Sequence, residues 1–185
     1  MHTALSIALP DWLPGFLAPR RPPADDSARL AEVIALSAEN VARGSGGPFA
    51  AAVYDEDSGL CIAAAVNVVM PSHCAAAHAE TLALSLAQQA RATHTLAASH
   101  CVLVTSAEPC AMCLGAICWS GVRRVVYAAT RADVEATGFD EGPRPARWKA
   151  ALTSRGIAVD GPWQRAAAAA VLQAYVHGSG HIYNS

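Results

Sequence analysis

The chain carries His-Ala-Glu at residues 78–80 and Pro-Cys-Ala-Met-Cys at residues 109–113. These segments provide one imidazole and two thiols, which are three ligands suited to zinc and one fewer than a closed structural zinc site uses. We therefore predict zinc as the cofactor, with His78, Cys110 and Cys113 as its ligands and a fourth position left for water. Glu80 follows closely after His78 and is predicted to carry the protons of that water.

Each segment is predicted to open a helix. Cys110 and Cys113 share one helix face, and Pro109 suits the first turn, where its missing N–H removes no helical bond. A helix N-terminus also favours anionic sulfur and lowers the pKa of a thiol. Cys-x-x-Cys alone would fit a redox pair or a structural zinc half-site equally well, and a lone glutamate in a first turn is usually solvated. The combination of the two segments favours a catalytic site.

The length and charge of the chain limit the classes of protein to which it can belong. With 185 residues it is long enough for one domain with a sizeable core. There are 13 basic and 15 acidic residues, giving a formal net charge of −2, and Lys149 is the only lysine. The arginine pairs at 20–21 and 123–124 are isolated and do not form the basic patch typical of nucleic-acid binders. We expect a small-molecule substrate and no nucleic-acid partner.

The chain shows neither an apolar run of membrane-spanning length nor a secretory signal pattern, so we expect a cytoplasmic protein with no membrane partner. In a reducing compartment, cysteines serve more often as ligands or core residues than in disulfides. The cysteines without ligand spacing are predicted to be small buried residues: Cys61, Cys74, Cys101 and Cys118.

Alternating strand-like and helix-like segments predict an α/β fold, with three α/β/α layers around a mixed sheet of about five strands. The domain is expected over residues 27–177, between an irregular N-terminal arm over residues 1–26 and a C-terminal tail over residues 178–185. The predicted strands are residues 49–54, 60–69, 100–105, 124–129 and 157–159, and the main predicted helices are 77–91, 109–121, 147–155 and 163–177.

Further segments are similar to one known family: Gly-Pro-Phe-Ala at 47–50, Asn67, Thr-Ser-Ala-Glu at 105–108, Leu-Gly-Ala at 114–116, Trp119 and Gly-Phe-Asp-Glu at 138–141. With the two ligand segments, they resemble the cytidine deaminase superfamily, and within it the purine-base branch typified by bacterial guanine deaminase. The N-terminal arm and the closing Ile-Tyr-Asn at 182–184 resemble the variant of that enzyme that also accepts ammeline, an amino-triazine. The resemblance then extends to nearly the full chain.

This resemblance implies a cytidine deaminase-like fold and zinc-dependent hydrolysis of guanine to xanthine and ammonia, with water as co-substrate. Ammeline and related amino-azines would be further substrates, and a homodimer is expected because family members usually assemble. A nucleoside deaminase acting on guanosine or cytidine remains an alternative, because no motif defines a ribose pocket. A tRNA adenosine deaminase is disfavoured by the net negative charge, and a non-enzymatic zinc module by Glu80 and the missing fourth ligand.

The resemblance also implies roles for single residues. Asn67 would bind the purine edge, because an amide can donate and accept at once, and the backbones of Ala79 and Ser106 would contact the substrate or its water. Phe49 and Trp119 would wall the base pocket.

Two further roles concern the later part of the chain. Glu141 would be a second proton shuttle, because deamination must protonate both a ring nitrogen and the leaving amine. Tyr183 would lie in a lid formed by the tail, over its own pocket or over a neighbour's.

Several of these residues could instead have a purely structural role. Composition alone favours a turn role for Asn67 and a hydrophilic turn at Asp140-Glu141. Phe49 is as readily explained as a core aromatic residue.

Overall fold

The computed structural model describes residues 3–17 and 22–184. Arg20-Arg21 and the last residue of the tail lie outside the described residues. The helices are α1 (Leu13–Leu17), α2 (Asp26–Ala42), α3 (Val69–Ser72), α4 (Ala79–Ala90), α5 (Ala111–Ser120), α6 (Arg131–Glu135), α7 (Trp148–Thr153) and α8 (Arg165–His177). The strands are β1 (Ala50–Asp55), β2 (Cys61–Val66), β3 (Cys101–Ala107), β4 (Arg124–Ala129) and β5 (Ala158–Asp160).

The five strands form one mixed sheet in the order β2-β1-β3-β4-β5. Strand β1 pairs antiparallel with β2 and β3, whereas β3, β4 and β5 run parallel to one another. Every residue of β3 is buried, as expected for a central strand covered on both faces. The predicted mixed sheet of about five strands is confirmed.

The two faces of the sheet are covered by different helices, which makes the predicted three layers. Side chains alternate between the faces of a strand, so Ala52 and Tyr54 of β1 pack in one core cluster with α2 and α8 residues. Ala51 and Val53 pack in a second cluster with residues of α4, α5 and α7. The α/β/α architecture is confirmed.

One edge of the sheet gathers the segments singled out in the sequence. The carboxyl ends of β3 and β4 lie side by side, with Ala107 opposite Ala129, and the antiparallel β1 begins at that edge, with Ala50 opposite Val66 at the end of β2. Helices α4 and α5 begin close by, at Ala79 and Ala111. In open α/β sheets, ligands bind outside the carboxyl ends of the parallel strands, so the sheet topology indicates a site here.

The structure differs from the sequence-based expectation after β2. That strand ends at Val66, and the side-chain oxygen of Asn67 accepts a hydrogen bond from the Val69 N–H at 3.2 Å, which turns the chain. The predicted strand over residues 60–69 is therefore too long at its end, where the short helix α3 begins at Val69 and includes Pro71. Pro109 was expected in the first turn of α5. Because Cys110 is the N-cap of that helix, Pro109 instead lies one residue before the N-cap.

The N-terminal arm is only partly irregular. Within the described residues it forms α1 and packs on the domain, because Leu13 is buried and the Trp12 indole N–H donates to the Ser45 hydroxyl at 3.0 Å. Helix α2 begins at Asp26, and the Asp25 carboxylate caps it by accepting from the Ala28 N–H at 2.8 Å.

The expectation of buried cysteines holds for Cys101 only. Cys61 is exposed, while Cys74 and Cys118 are partly exposed. Cys61 differs because it begins the edge strand β2. None of the helices in the described ranges has the length and apolar character that a membrane crossing requires.

Candidate metal centre and active site

His78, Cys110 and Cys113 converge from two helix N-termini. His78 is the N-cap of α4 and Cys110 the N-cap of α5, both with extended backbones, and neither side chain is used to cap its own helix. The side chains are therefore free to face one another. The His78 Nδ1 lies 3.5 Å from the Cys110 Sγ and 3.6 Å from the Cys113 Sγ.

The donor set suits zinc. The three candidate ligand atoms lie within 4.8 Å of one another, and no other such group of three occurs among the residues that the structure describes. One nitrogen and two sulfur donors match the composition of catalytic zinc sites, which keep a fourth position open. Zinc held there would act as a Lewis acid and lower the pKa of a coordinated water.

The two thiols share a proton unequally. The hydrogen bond from Cys113 is the main cause that lowers the pKa of Cys110, to about 4, with further support from His78. The pKa of Cys113 is raised well above its ordinary value, first by its hydrogen bond with Cys110 and then by burial. A bound cation would deprotonate both thiols, since a coordinating thiol is present as the thiolate.

Glu80 lies in the first turn of α4 and is 7% exposed. Its pKa is raised to about 7, first by burial and then by the neighbouring Cys110 charge, while His78 opposes the rise. A carboxyl group that titrates near neutrality can both accept and return a proton, which is the property a proton shuttle needs.

Glu141 is buried as well, in the loop between α6 and α7. It is 6% exposed, so a solvated turn does not describe it. Its pKa is raised to about 8, first by burial and then by the charges of Cys110 and Glu80. Glu80 and Glu141, which the resemblance assigned to one pocket, both line one cleft together with His78 and Cys110.

The same cleft is lined by Phe49, Tyr183, Glu108 and Asn184. Phe49 and Tyr183 were expected there, and no role was predicted for Glu108 and Asn184. Glu108 lies directly before Pro109-Cys110, and this position beside a predicted metal ligand could have indicated that Glu108 lines the cleft. Asn184 belongs to the closing Ile-Tyr-Asn segment at 182–184 on which part of the resemblance rests, and that segment is the signal that could have indicated it.

The tail folds over the cleft of its own chain. Its Tyr183 ring meets the Phe139 ring edge-on at 5.0 Å, and Phe139 in turn meets Phe49 at 5.2 Å. Asn184 fastens the tail by accepting from the Asp140 N–H at 3.1 Å and donating its side-chain amide to the Asp140 carbonyl at 2.7 Å. The tail therefore covers the pocket that its own chain forms.

Three buried polar atoms in this region have no hydrogen-bond partner among the described residues: Asn67 Nδ2, Tyr183 Oη and Asn184 Oδ1. Tyr183 and Asn184 line the cleft, and the Asn67 N–H donates to the carbonyl of the cleft residue Phe49 at 2.9 Å. Leaving a buried donor or acceptor unpaired costs about 1–3 kcal/mol. Such atoms are expected where a polar ligand supplies the partner.

The remaining predicted residues differ in their placement. Ala79 is buried at the start of α4, between His78 and Glu80, and the Ser106 hydroxyl accepts from the Ala50 N–H at 3.0 Å. Trp119 does not line the cleft: it is 77% exposed near the end of α5, beneath the Arg155 guanidinium at 5.7 Å. As a wall of the pocket within one chain, Trp119 was predicted wrongly, because it lies at the opposite end of α5 from Cys110.

A comparison with protein families agrees with this donor set. The family model for the cytidine and deoxycytidylate deaminase zinc-binding region matches residues 24–129, more than half of the chain and all three candidate ligands. The chain belongs to this family. The deaminase is thus a zinc-dependent hydrolase.

Comparison with individual proteins shows which members of the family the chain resembles. The deaminase is 40% identical over 112 residues to the guanine deaminase of Bacillus subtilis, covering 60% of this chain and 69% of that protein. It is 53% identical to the solved guanine deaminase from Nitrosomonas europaea, with a TM-score of 0.89 over 95% of this chain and 97% of that one. A crystal structure in complex with 2,6-diaminopurine is also 53% identical, with a TM-score of 0.92 over 100% of this chain and 98% of that chain.

Proposed function

We propose that this deaminase converts guanine and water to xanthine and ammonia. The observation that carries the proposal is the pair of buried acids, Glu80 and Glu141, in one cleft beside the His78–Cys110–Cys113 group. The guanine deaminases of Bacillus subtilis and Nitrosomonas europaea are similar to the chain over most of its length, and the similar structure with bound 2,6-diaminopurine supports a purine ligand.

Two acids suit deamination at the amino-bearing carbon of guanine. Glu80 takes a proton from the attacking water and delivers it to a ring nitrogen of the base. Glu141 supplies or relays the proton that the leaving amine needs to depart as ammonia. Burial raises the pKa of both groups to near or above neutrality, so each can hold a proton at working pH.

Unpaired polar atoms and aromatic rings would hold the base. The free Nδ2 of Asn67 donates toward an acceptor on the purine edge, while its Oδ1 remains engaged with Val69. Phe49 offers an apolar surface for the ring, and Tyr183 closes the cleft against water. The backbones of Ala79 and Ser106 lie at the start of α4 and in β3, where they can contact the substrate or its water.

A substrate panel tests the proposal: guanine, ammeline, guanosine, cytidine, adenine and tRNA, with ammonia release measured. Guanine is expected to be turned over, and ammeline as a second amino-azine. Turnover of cytidine, guanosine or tRNA without guanine would refute the proposal. Tyr183 and Asn184 of the tail line the cleft and narrow it, so we expect nucleosides, which are larger than the free base, to be poor substrates.

We further propose that the deaminase is a homodimer that works in the cytoplasm. Helix α5 contains no charged residue, and its Met112 and Trp119 are exposed; a second copy would cover this face. Reducing conditions would keep the two thiol ligands available. Light scattering coupled to gel filtration decides the oligomeric state, and a monomer mass at micromolar concentration would refute the dimer.

A further inference from the structure

A buried ion pair lies at the wall of the cleft, which Glu108 lines, and takes no part in the proton transfers described above. The Arg144 Nη2 donates to the Glu108 Oε2 at 2.6 Å, and the two side chains are only 6% and 10% exposed. Glu108 immediately precedes the Pro109-Cys110 segment, and Arg144 lies in the same loop as Glu141. The pair therefore joins the segment that holds a metal ligand to the loop that holds the second acid.

Further hydrogen bonds fasten that loop to the start of α5. The other guanidinium nitrogen of Arg144, Nη1, donates to the Pro109 carbonyl at 3.2 Å, and the Ala111 N–H donates to the Glu141 carbonyl at 3.0 Å. Glu108 is held in turn, because its Oε2 also accepts from the Arg131 N–H at 3.2 Å.

The Glu141 carboxylate has no comparable anchor of its own. No described side chain or backbone group makes a hydrogen bond with it, so its position depends on where the loop backbone is held. Gly142, the next residue, packs so closely on the first turn of α5 that a Cβ there would lie 3.1 Å from the Ala111 Cβ. The loop can therefore shift little while Arg144 keeps both of its contacts.

Stability alone is a weak explanation for this pair. Burying two charges is unfavourable because both lose their hydration, and the attraction between them often does no more than offset that cost. What an arginine adds is a rigid fork that fixes geometry, and Arg144 uses both arms while its guanidinium stacks 5.1 Å from the Trp148 ring centre. This arrangement fits a group that holds a loop in one place.

We propose that Glu108 and Arg144 are positioning residues that set the location of the Glu141 carboxylate in the cleft. The inference rests on the proposed role of Glu141 in deamination. It assigns a use to two charged residues that neither bind the metal nor transfer a proton.

A double-mutant cycle tests it, using Arg144→Gln, Glu141→Gln and the combination, with kcat and KM for guanine and zinc content per chain measured for each. Arg144→Gln is expected to lower kcat by about 10- to 100-fold, because misplacing a reacting group by about 1 Å can cost up to about 100-fold, with zinc content unchanged. In the Glu141→Gln background, the same substitution should change kcat less than about twofold, because the group it positions is already disabled.

Arg43→Gln is the matched control. Its side chain forms an ion pair with Glu39 on the surface of α2, and Arg43 does not line the cleft. That substitution should leave kcat unchanged. If Arg144→Gln does not fold, Arg144→Lys takes its place in the cycle, because a lysine keeps the charge but cannot make both contacts at once. A smaller loss of kcat is then expected, and it should again disappear in the Glu141→Gln background.

Two outcomes would overturn the inference. One is that the losses from Arg144→Gln and Glu141→Gln multiply, which would mean that Arg144 does not act through Glu141. The other is that Glu141→Gln has nearly wild-type kcat, since the pair would then have nothing to position. A wild-type enzyme inactive on guanine would instead refute the proposed function, and the cycle would be measured with the base in the panel that is turned over.

Discussion

The hydroxyl of Tyr183 lies directly over Gly47, so close that a Cβ at position 47 would overlap it. Gly47 precedes Phe49 on one side of the cleft, and Tyr183 belongs to the tail that closes it. The absence of a side chain at residue 47 is thus what allows the tail to close.

Gly47→Ala is expected to displace the Tyr183 ring and leave the cleft open to water. We expect kcat/KM for guanine to fall by roughly 10-fold, since misplacing a group near the chemistry by about 1 Å can cost up to about 100-fold. Zinc content should not change. Gly15→Ala is the matched control, because a Cβ there meets no atom within 4 Å; equal losses in both variants would contradict this account of Gly47.

Glu80→Gln removes the buried carboxyl group while keeping its size. We expect kcat to fall by about 10²- to 10⁴-fold, the usual contribution of general acid–base catalysis. The zinc content should stay the same, because His78 and the two cysteines are unaltered. Atomic absorption for zinc and ammonia release for turnover check this, and near-normal turnover would exclude Glu80 as the shuttle.

Asn67→Asp separates the two interpretations of Asn67. An aspartate keeps the oxygen that accepts from the Val69 N–H, so the turn into α3 should form, while its second oxygen, buried without a partner, lowers the melting temperature. The buried donor at Nδ2 is lost, however, and with it a contact worth about 1–3 kcal/mol, or roughly 10- to 100-fold in kcat/KM.

Asn67→Ala provides the comparison, because it removes both the donor and the turn-forming oxygen. It should lose stability as well as kcat/KM. If Asn67→Asp kept full activity, Asn67 would be a turn residue only.

The metal ligands and the sheet could be predicted from sequence because their signals are local. Spacing on a helix places Cys110 beside Cys113, and short continuous apolar runs indicate the buried strands β1 and β3. Trp119 shows where such reasoning fails: helix α5 is apolar on all sides, so its pattern does not tell which face is buried.

The other missed features depend on contacts between distant parts of the chain. Arg144 lies among prolines and glycines, with no periodicity to indicate that it pairs with Glu108. The contact of Asn184 with Asp140 joins the tail to a loop far away in sequence. Composition also suggested a solvated turn for Glu141, whereas the folded chain buries it.

The pH dependence of stability should reveal the role of Asp133. Its carboxylate accepts hydrogen bonds from the Thr130 N–H and hydroxyl at the start of α6, and from the Arg165 guanidinium of α8 at 2.7 and 2.9 Å. The contact with Arg165 is the largest cause of a pKa held well below the usual value of 3.8. A depressed carboxyl pKa stabilises the folded protein above the unfolded-state pKa, and this contribution is lost as the pH falls through the folded-state value.

Asp133→Asn should therefore lower the free energy of unfolding at pH 7 by about 1 kcal/mol, the usual cost of losing a helix cap. The difference from the wild type should shrink as the pH falls below about 4, near the ordinary aspartate pKa. Denaturant unfolding, with chelator present at every pH so that metal content stays constant, measures it. Glu39→Gln is the control, because Glu39 pairs with Arg43 on the surface and such exposed pairs contribute little. A difference between Asp133→Asn and the wild type that stays constant down to pH 2 would show that the charge of Asp133 does not matter.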